Sequence, residues 1–254
     1  MPSSRSFATA TSMVASAARL PFGIFTKPAK RHPAELLVLY EFEACPFCRL
    51  VREVLTELDL DALIQPCPKG GTRFRPRAVE LGGKAQFPLL VDREAGVTLF
   101  ESAAIIEHLF RTYGERPVPS AWRLRSLNVM ASGIASAART GAGNHARPSR
   151  GPDQQLELYS IETSPFVRLV RERLCELELP YVLHSLGRTK VSESIPPFVR
   201  ARLGIRVEPE TPRRRELLVR AGRVMVPYLI DPNTDTEMFE SRDICRYLDA
   251  TYAA

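Results

Sequence analysis

The chain contains an internal duplication, which restricts its fold more than any other feature of the sequence. Residues 39–53 read LYEFEACPFCRLVRE, and residues 158–172 read LYSIETSPFVRLVRE. Two shorter blocks follow in each copy, FPLLVD and FES in the first and VPYLID and FES in the second, at 87–92, 100–102, 226–231 and 239–241. A long-range repeat of this kind indicates one structural unit that is used twice. With 254 residues, the chain has room for two domains of ordinary size.

The order of predicted elements is the same in both copies. We predict a buried strand at each short apolar run and a helix at the proline that follows it, because proline fits the first helical turn. In the first copy we predict strands at 36–42 and 62–65, helices from Pro46 and at 77–81, a hairpin over 87–100 and a last helix capped by Ser102. In the second copy we predict strands at 156–161 and 181–184, a helix from Pro165, a hairpin over 226–239 and a helix from Ser241. The order β-α-β-α-β-β-α is that of the thioredoxin fold. We therefore expect an α/β protein with two tandem thioredoxin-like domains, joined by a helical, basic linker.

Composition divides the chain into four segments. We expect an N-terminal segment at 1–35, a redox-active domain 1 at 36–114, a helical linker at 115–155 and a degenerate domain 2 at 156–254. The N-terminal segment is rich in Ser, Ala and Arg and has no acidic residue before its last positions, as is typical of organelle transit peptides. It also resembles residues 134–150, which is equally consistent with a short helix followed by a basic linker. The protein is thus expected in the cytoplasm, or in an organelle such as the chloroplast if the segment is a transit peptide.

Two further regions carry weaker expectations. Trp122 lies in a predicted linker helix over 121–138 and is expected to pack between the domains. The second copy contains an insertion over 187–220 that the first lacks, and its Arg213–Arg215 run predicts an exposed basic loop.

Composition also excludes several classes of protein. No apolar run approaches the roughly 18–20 residues of a membrane-spanning helix, so we expect no membrane span. Lys and Arg number 35 against 29 Asp and Glu, but the basic residues are not interleaved with aromatic ones, so nucleic-acid binding is not expected. Five cysteines, of which only Cys45 and Cys48 are close together, do not form a disulfide framework. This cysteine usage suits a reducing compartment.

The pair Cys45 and Cys48 is the candidate catalytic site. Cys45 follows a predicted strand and begins a predicted helix, where unpaired backbone N–H groups and the helix dipole lower the pKa of a thiol. Cys48 lies one turn later, within reach of a mixed disulfide on Cys45. We therefore expect Cys45 to be the attacking thiol and Cys48 the resolving thiol. Cys67 is either a bystander or a third redox thiol, and Cys175 and Cys245 are expected in the core.

Two alternatives for this pair remain open. The spacing C-x-x-C is also half of a zinc site. The nearby candidates for further ligands, Cys67 and His108, do not pair with another ligand at a suitable spacing, so we expect no resident metal. Metal or iron–sulfur binding through Cys45 stays an alternative, as does a structural use of the pair.

The motif Cys45-Pro46-Phe47-Cys48 resembles the active site of glutaredoxins and of the glutaredoxin-like prostaglandin E synthases. The resemblance implies a redox enzyme of the thioredoxin superfamily, with glutathione as co-substrate.

The later blocks resemble the glutathione site in the N-terminal domain of glutathione S-transferases. The resemblance covers about 36–114 and 156–253. It implies that Pro88 is cis, that the backbone of Phe87 pairs with the cysteine of glutathione, and that Glu101 and Ser102 hold its γ-glutamyl group at a helix N-terminus.

The chain departs from the transferase pattern in two respects. Residues 115–155 are too few for the all-helical second domain of those enzymes, so ordinary conjugating activity is not expected. Phe87 is bulkier than the β-branched residue usual in those families and is expected to narrow the glutathione groove.

The second copy lacks the thiols, with Ser164 and Val167 in their places. It keeps the other positions of a candidate second glutathione site, namely Val226, Pro227, Glu240 and Ser241. Thiol–disulfide exchange cannot occur there. The copy either binds glutathione through Ser164 or is a degenerate domain retained for packing.

We therefore expect a glutathione-linked thiol–disulfide oxidoreductase that acts on protein or small-molecule disulfides. The basic residues Lys69, Arg73 and Arg75 are expected to attract anionic glutathione. A non-catalytic glutathione-binding or scaffold protein is the first alternative.

Overall fold

The computed structural model describes residues 10–13, 22–123, 141–194, 199, 202–203 and 208–254. Most of the predicted linker helix and parts of the 187–220 insertion lie outside these residues. Within the described ranges, no helix combines the length and the apolar character needed to cross a membrane.

The first repeat forms a four-stranded sheet with helices on both sides. Its elements are β1 (Leu37–Glu41), α1 (Pro46–Leu58), β2 (Ala62–Pro66), α2 (Arg75–Gly82), β3 (Leu89–Asp92), β4 (Val97–Phe100) and α3 (Ser102–Thr112). Strand β1 pairs parallel with β2 and antiparallel with β3, which pairs antiparallel with β4. A short helix, α4 (Ser120–Arg123), follows. The predicted order of elements is confirmed.

The second repeat has the same topology. Its elements are β5 (Leu156–Ser160), α5 (Pro165–Glu176), β6 (Tyr181–Ser185), a 3-10 helix (Val191–Ser194), α6 (Pro212–Ala221), β7 (Tyr228–Asp231), β8 (Thr236–Phe239) and α7 (Ser241–Tyr252). Strand β5 pairs parallel with β6 and antiparallel with β7, which pairs antiparallel with β8. The protein is therefore α/β, with two tandem thioredoxin-like domains.

The two domains share one continuous sheet. Its strand order is β4-β3-β1-β2-β6-β5-β7-β8, and the antiparallel pair β2 and β6 joins the halves. Leu63 lies opposite Val182, and these residues are equivalent in the two repeats. The domains are therefore related by an approximate two-fold axis through this residue pair.

Each domain is also held by the segment that precedes the other. The Thr26 N–H donates to the Arg188 carbonyl in domain 2, and the Arg188 N–H donates to Ile24. In the other half, the Lys69 N–H donates to the Asn144 carbonyl at 2.7 Å, and the Ala146 N–H donates to Lys69. Residues 22–30 thus occupy the position in one half that residues 143–150 occupy in the other. Cleavage of a presequence upstream of them stays a prediction.

The Arg213–Arg215 run is not in an exposed loop, so that expectation is wrong for this part of the insertion. Residues Pro212–Ala221 form helix α6, whose first turn is capped by the Thr211 hydroxyl accepting from the Arg214 N–H at 3.4 Å. Arg214 is buried and donates to the Leu186 carbonyl at 2.9 Å. Arg213 forms an ion pair with Asp61 of domain 1. The insertion therefore helps to hold the two domains together.

Trp122 packs beside the end of α1. Its indole N–H donates to the Glu57 carboxylate at 2.7 Å, and its ring lies edge to face with Phe22 at 4.8 Å between ring centroids. Both of these partners come from the first half of the chain.

Asp59 provides a test of the electrostatics at the domain junction. It ends α1 in the left-handed region at φ 54°, is 7% exposed, and its Oδ1 has no hydrogen-bond partner among the described residues. Burial, followed by the neighbouring Asp61, raises its pKa to about 7, against the opposing effect of Arg213 and Arg214. Because the folded-state pKa lies above the unfolded value of about 3.9, ionisation costs stability, and this cost grows as the pH rises towards 7.

The substitution Asp59→Asn removes the charge, and asparagine readily adopts the left-handed conformation. We expect the free energy of unfolding to rise by about 1–3 kcal/mol at pH 8, with only a small change near pH 4. Denaturant unfolding at the two pH values measures the difference. An equal gain at both values, or a loss at pH 8, would contradict this assignment.

Candidate functional site

A turn between β1 and α1 presents Cys45 at the N-terminus of α1. The Cys45 N–H closes this turn by donating to the Phe42 carbonyl at 3.0 Å. Cys45 is the N-cap residue of the helix, and Pro46 takes the first helical position. The Cys45 Sγ accepts the backbone N–H of Cys48 at 3.4 Å. The structure therefore places the sulfur of Cys45 where the sequence predicts it.

The two thiols of the pair have opposite electrostatics. Hydrogen bonds, first from the Cys48 side chain and then from the backbone of Cys48 and Phe47, lower the pKa of Cys45 against the opposing effect of burial. Burial, followed by the interaction with Cys45, raises the pKa of Cys48 well above its ordinary value. Because the thiolate is the nucleophilic form, this arrangement makes Cys45 the more reactive thiol of the pair and favours a protonated Cys48.

The other cysteines lack this environment. Burial raises the pKa of Cys67, of Cys175 and of Cys245, the last to about 12. Cys67 is fully buried and donates to the Gln65 carbonyl at 3.4 Å, which favours a bystander over a third redox thiol. Cys175 is buried as expected, whereas Cys245 is only partly buried.

A cis peptide bond faces Cys45 across the groove. The bond joins Phe87 and Pro88, and the Phe87 carbonyl lies 4.0 Å from the Cys45 Sγ. The neighbouring Gln86 amide donates to the Glu101 carboxylate. The structure therefore brings Cys45 and Phe87 together. Glu101 is linked to this pair by its hydrogen bond with Gln86, the residue before Phe87. The roles of these residues in glutathione binding stay predictions.

Glu101, rather than Ser102, is the N-cap residue of α3. Its backbone has φ 65°, a conformation that non-glycine residues rarely adopt. The predicted cap at Ser102 is wrong, because Ser102 is already the first helical residue and the helix has no side-chain cap. A helix N-terminus without a side-chain cap can accept a carboxylate from a ligand, and strained backbone of this kind is frequent at binding sites.

The groove at Cys45 is narrow. Cys45 is only 4% exposed, and the rings of Phe42 and Phe87 lie edge to face beside it, 6.1 Å apart. The Arg75 guanidinium lies 4.9 Å from the centre of the Phe87 ring. Arg73 instead points to the domain junction, where it donates to the Glu178 carbonyl at 2.6 Å. Of these two arginines, only Arg75 adjoins the groove.

The corresponding site in domain 2 has the same backbone without the thiols. The Ser164 Oγ accepts the backbone N–H of Val167 at 3.4 Å, as Cys45 does from Cys48. The peptide bond between Val226 and Pro227 is cis. Glu240 has φ 71° and precedes α7, which begins at Ser241 and has no side-chain cap. The predicted start of this helix at Ser241 is confirmed. The site keeps its shape, and both interpretations of it stay open.

Among the described residues, no group of three or more His, Cys, Asp or Glu side chains could hold a metal ion. His108, considered above as a ligand, lies 2.8 Å from the Asp92 carboxylate.

Behind the site lies a feature that the sequence analysis missed. Charged side chains from both domains, each at most 3% exposed, form a network that we call the interdomain ion cluster, composed of Glu41, Glu43, Arg49, Arg52, Glu53, Glu162, Arg168 and Arg171. Arg52 of α1 contacts Glu162 at 3.0 Å, and Arg171 of α5 contacts Glu43 at 3.0 Å. The signal was available, because RLVRE occurs unchanged at 49–53 and 168–172. The same pattern of arginine and glutamate on the equivalent faces of α1 and α5 suits a contact between these two helices across the two-fold axis.

Comparisons with known proteins agree with this architecture. A family model for the glutathione S-transferase N-terminal domain matches residues 39–117 and again residues 158–254. No curated protein matches the chain. Among solved structures, the Leishmania protein TDR1, described as a unique trimeric glutathione transferase, is similar at 13% sequence identity over 87% of this chain and 68% of that chain, with a TM-score of 0.28. Because the two matched regions cover more than half of the chain, the protein belongs to the glutathione S-transferase N-terminal domain family and contains that domain twice.

Proposed function

We propose that the chain is a glutathione-linked thiol–disulfide oxidoreductase that acts through Cys45 and Cys48. The geometry of Cys45 carries the proposal: its Sγ accepts the Cys48 backbone N–H at the N-terminus of α1, which favours the thiolate. Membership in the glutathione S-transferase N-terminal domain family supports glutathione as the co-substrate. Domain 1 alone carries the reaction, because domain 2 has Ser164 and Val167 in place of the thiols.

The first step is an attack by the Cys45 thiolate on one sulfur of a substrate disulfide. A bond forms between the Cys45 Sγ and that sulfur while the substrate S–S bond breaks, and the departing thiolate takes a proton from water. In the second step Cys48 loses its proton and attacks the Cys45 Sγ. This forms the Cys45–Cys48 disulfide and releases the remaining substrate thiol.

Two molecules of glutathione then complete the cycle. The first attacks the Cys45–Cys48 disulfide and forms a mixed disulfide with Cys45. The second attacks this mixed disulfide, which returns Cys45 as a thiolate and releases glutathione disulfide. The two electrons that reduced the substrate therefore come from the two glutathione thiols.

In this proposal each part of glutathione has a partner near Cys45. The backbone of Phe87, whose carbonyl lies 4.0 Å from the Cys45 Sγ, pairs with the cysteinyl residue. The N-terminus of α3, at Glu101 and Ser102, offers backbone N–H groups to the γ-glutamyl carboxylate. The Arg75 guanidinium adds a positive charge beside the Phe87 ring.

A second candidate, ligand binding without catalysis, is favoured by the 4% exposure of Cys45. A disulfide reaches the sulfur only if neighbouring groups move aside, and Phe87, whose carbonyl lies 4.0 Å from the Cys45 Sγ, is the neighbour that we test. In that candidate, glutathione binds in the groove and Cys45 does not react.

The experiment compares Cys48→Ser with Cys48→Ser plus Phe87→Val, after incubation with glutathione disulfide. We expect mass spectrometry to find one glutathione adduct, on Cys45, because serine cannot resolve the mixed disulfide. The adduct should form several-fold faster with valine, because the smaller side chain opens the groove. A Cys67→Ser change serves as the control, since it removes a thiol from the same domain and should leave the adduct unchanged.

The alternative has a different outcome. If calorimetry shows glutathione binding but neither variant forms an adduct, the protein binds glutathione without thiol exchange, and the oxidoreductase proposal fails.

A further inference from the structure

Glu43 is one of the two central residues of the turn that presents Cys45. The turn runs from Phe42 to Cys45, and its closing hydrogen bond spans Glu43 and Ala44. Glu43 is buried at 2% exposure, so its side chain does not face the solvent beside the groove. It points instead into the interdomain ion cluster.

Most contacts of this carboxylate come from the second domain. Arg171 of α5 donates to Glu43 through its Nε at 3.0 Å and through its Nη2 at 3.1 Å. Arg168 of the same helix donates through its Nε at 3.4 Å. Within domain 1, Arg52 lies 3.0 Å away. Such a two-pronged arginine contact fixes the position of a carboxylate as well as balancing its charge.

The backbone of Glu43 is held from the same side. Its N–H donates to the Cys175 Sγ of α5 at 3.4 Å. Gly143, which precedes domain 2, packs so closely that a Cβ built on it would lie 2.9 Å from the Glu43 Cβ. Domain 2 and its leading segment therefore enclose both the backbone and the side chain of this residue.

The equivalent turn in domain 2 is held in return by domain 1. It runs from Ile161 to Ser164, and Glu162, one of its two central residues, accepts from Arg52 of α1 at 3.0 Å. Each helix thus holds the turn that leads into the other helix. Only the turn in domain 1 leads to a thiol. These reciprocal contacts can therefore affect a reactive group in domain 1 alone.

We propose that helix α5 of domain 2 positions the nucleophile of domain 1, with Arg171 and Arg168 holding Glu43 and thereby fixing the Cys45 Sγ against the N-terminus of α1. The inference rests on the proposed function of Cys45. It gives the second domain a role in the reaction although it contains no reactive thiol of its own. Arg171, Arg168 and Glu43 are positioning residues, since none of them touches the reacting sulfur.

The two turns provide a matched pair of variants, Glu43→Asp and Glu162→Asp. Each keeps the buried charge and withdraws a carboxylate by one methylene from its arginine on the opposite domain. We expect both to lower the melting temperature by similar amounts. In a Cys48→Ser background, iodoacetamide alkylation of Cys45 followed over pH should show a pKa raised by about half to one unit in Glu43→Asp and unchanged in Glu162→Asp.

The pKa of Cys45 from alkylation distinguishes a positioning role of Glu43 from general destabilisation of the protein. It also tests that role independently of the proposed function. Equal shifts in both variants, or no shift in Glu43→Asp, would overturn the positioning role. If Glu43→Asp does not fold, Arg168→Lys, which alters the longer contact to the same carboxylate, decides with the same criterion: a raised pKa supports the role and an unchanged pKa overturns it. Alkylation needs no disulfide substrate, so the two proposals can fail separately. If the Cys45 pKa shifts only in Glu43→Asp but the protein has no disulfide reductase activity, the positioning role stands and the proposed function is rejected.

Discussion

Replacing Cys45 by serine is expected to reduce the turnover of hydroxyethyl disulfide with glutathione to the rate without enzyme. A serine hydroxyl is not ionised near neutral pH and cannot replace the thiolate. The fold should survive the change, because Ser164 already occupies the equivalent cap in domain 2 and accepts the Val167 N–H at 3.4 Å. Circular dichroism should therefore show an unchanged protein.

Ser164→Ala is the matched control for this experiment. It removes the side chain at the equivalent position of domain 2, so it should leave turnover unchanged while costing about 0.5–2 kcal/mol of stability through the lost helix cap. Wild-type turnover in Cys45→Ser would refute the assigned nucleophile. A loss of turnover in Ser164→Ala would show that the second site takes part in the reaction.

Replacing Arg52 by alanine is expected to lower the free energy of unfolding by about 3–5 kcal/mol. Arg52 is fully buried and contacts Glu41, Glu43 and Glu162. Its removal leaves three buried carboxylates without their common cation. A whole protein is stable by only about 5–15 kcal/mol, so this single change would use a large part of its stability.

The control for Arg52→Ala is an exposed ion pair. Arg77 contacts Glu80 at 2.7 Å on α2, with side chains 54% and 69% exposed. Exposed pairs contribute about 0–1 kcal/mol, so Arg77→Ala should change the urea midpoint very little. If the two variants lose the same stability, the interdomain ion cluster does not hold the domains together in the way its burial implies.

Local signals predicted the elements of each repeat well. A proline after an apolar run gave the start of α1 at Pro46 and of α5 at Pro165, and both are confirmed. The same signal was present at Thr211 and Pro212, a helix cap followed by a first-turn proline, but the arginines after them favoured a loop. In the fold, Arg213 pairs with Asp61, which immediately precedes β2, and Arg214 donates to the Leu186 carbonyl.

Contacts between the repeats could not be predicted in this way. Nothing within one copy indicates that β2 pairs with β6, because an edge strand looks alike whether it faces solvent or another edge. Arg52 and Arg171 lie on the charged faces of predicted helices. Such faces are usually solvent-exposed, so the burial of these arginines could not be predicted. Only the unchanged RLVRE in both copies pointed to a shared surface.

At the site, the positions of Cys45 and of the cis peptide at Pro88 followed from motif and resemblance. The positive φ of Glu101 could not be predicted. Serine is a preferred helix cap residue, so the neighbouring Ser102 was predicted as the cap instead of Glu101. The burial of Cys45, which is only 4% exposed, is a property of tertiary packing and does not follow from its position at a helix N-terminus.

The pH dependence of Cys45 alkylation tests the central claim most directly, namely that hydrogen bonds at the helix N-terminus, from the side chain of residue 48 and from the backbone, favour the thiolate of Cys45. The measurement uses the Cys48→Ser protein, with iodoacetamide as the reagent and mass spectrometry to locate the label. We predict that the rate rises with a midpoint clearly below about 8.5, the value for an ordinary thiol. A midpoint at or above that value would show that burial outweighs the helix N-terminus, and would contradict the account.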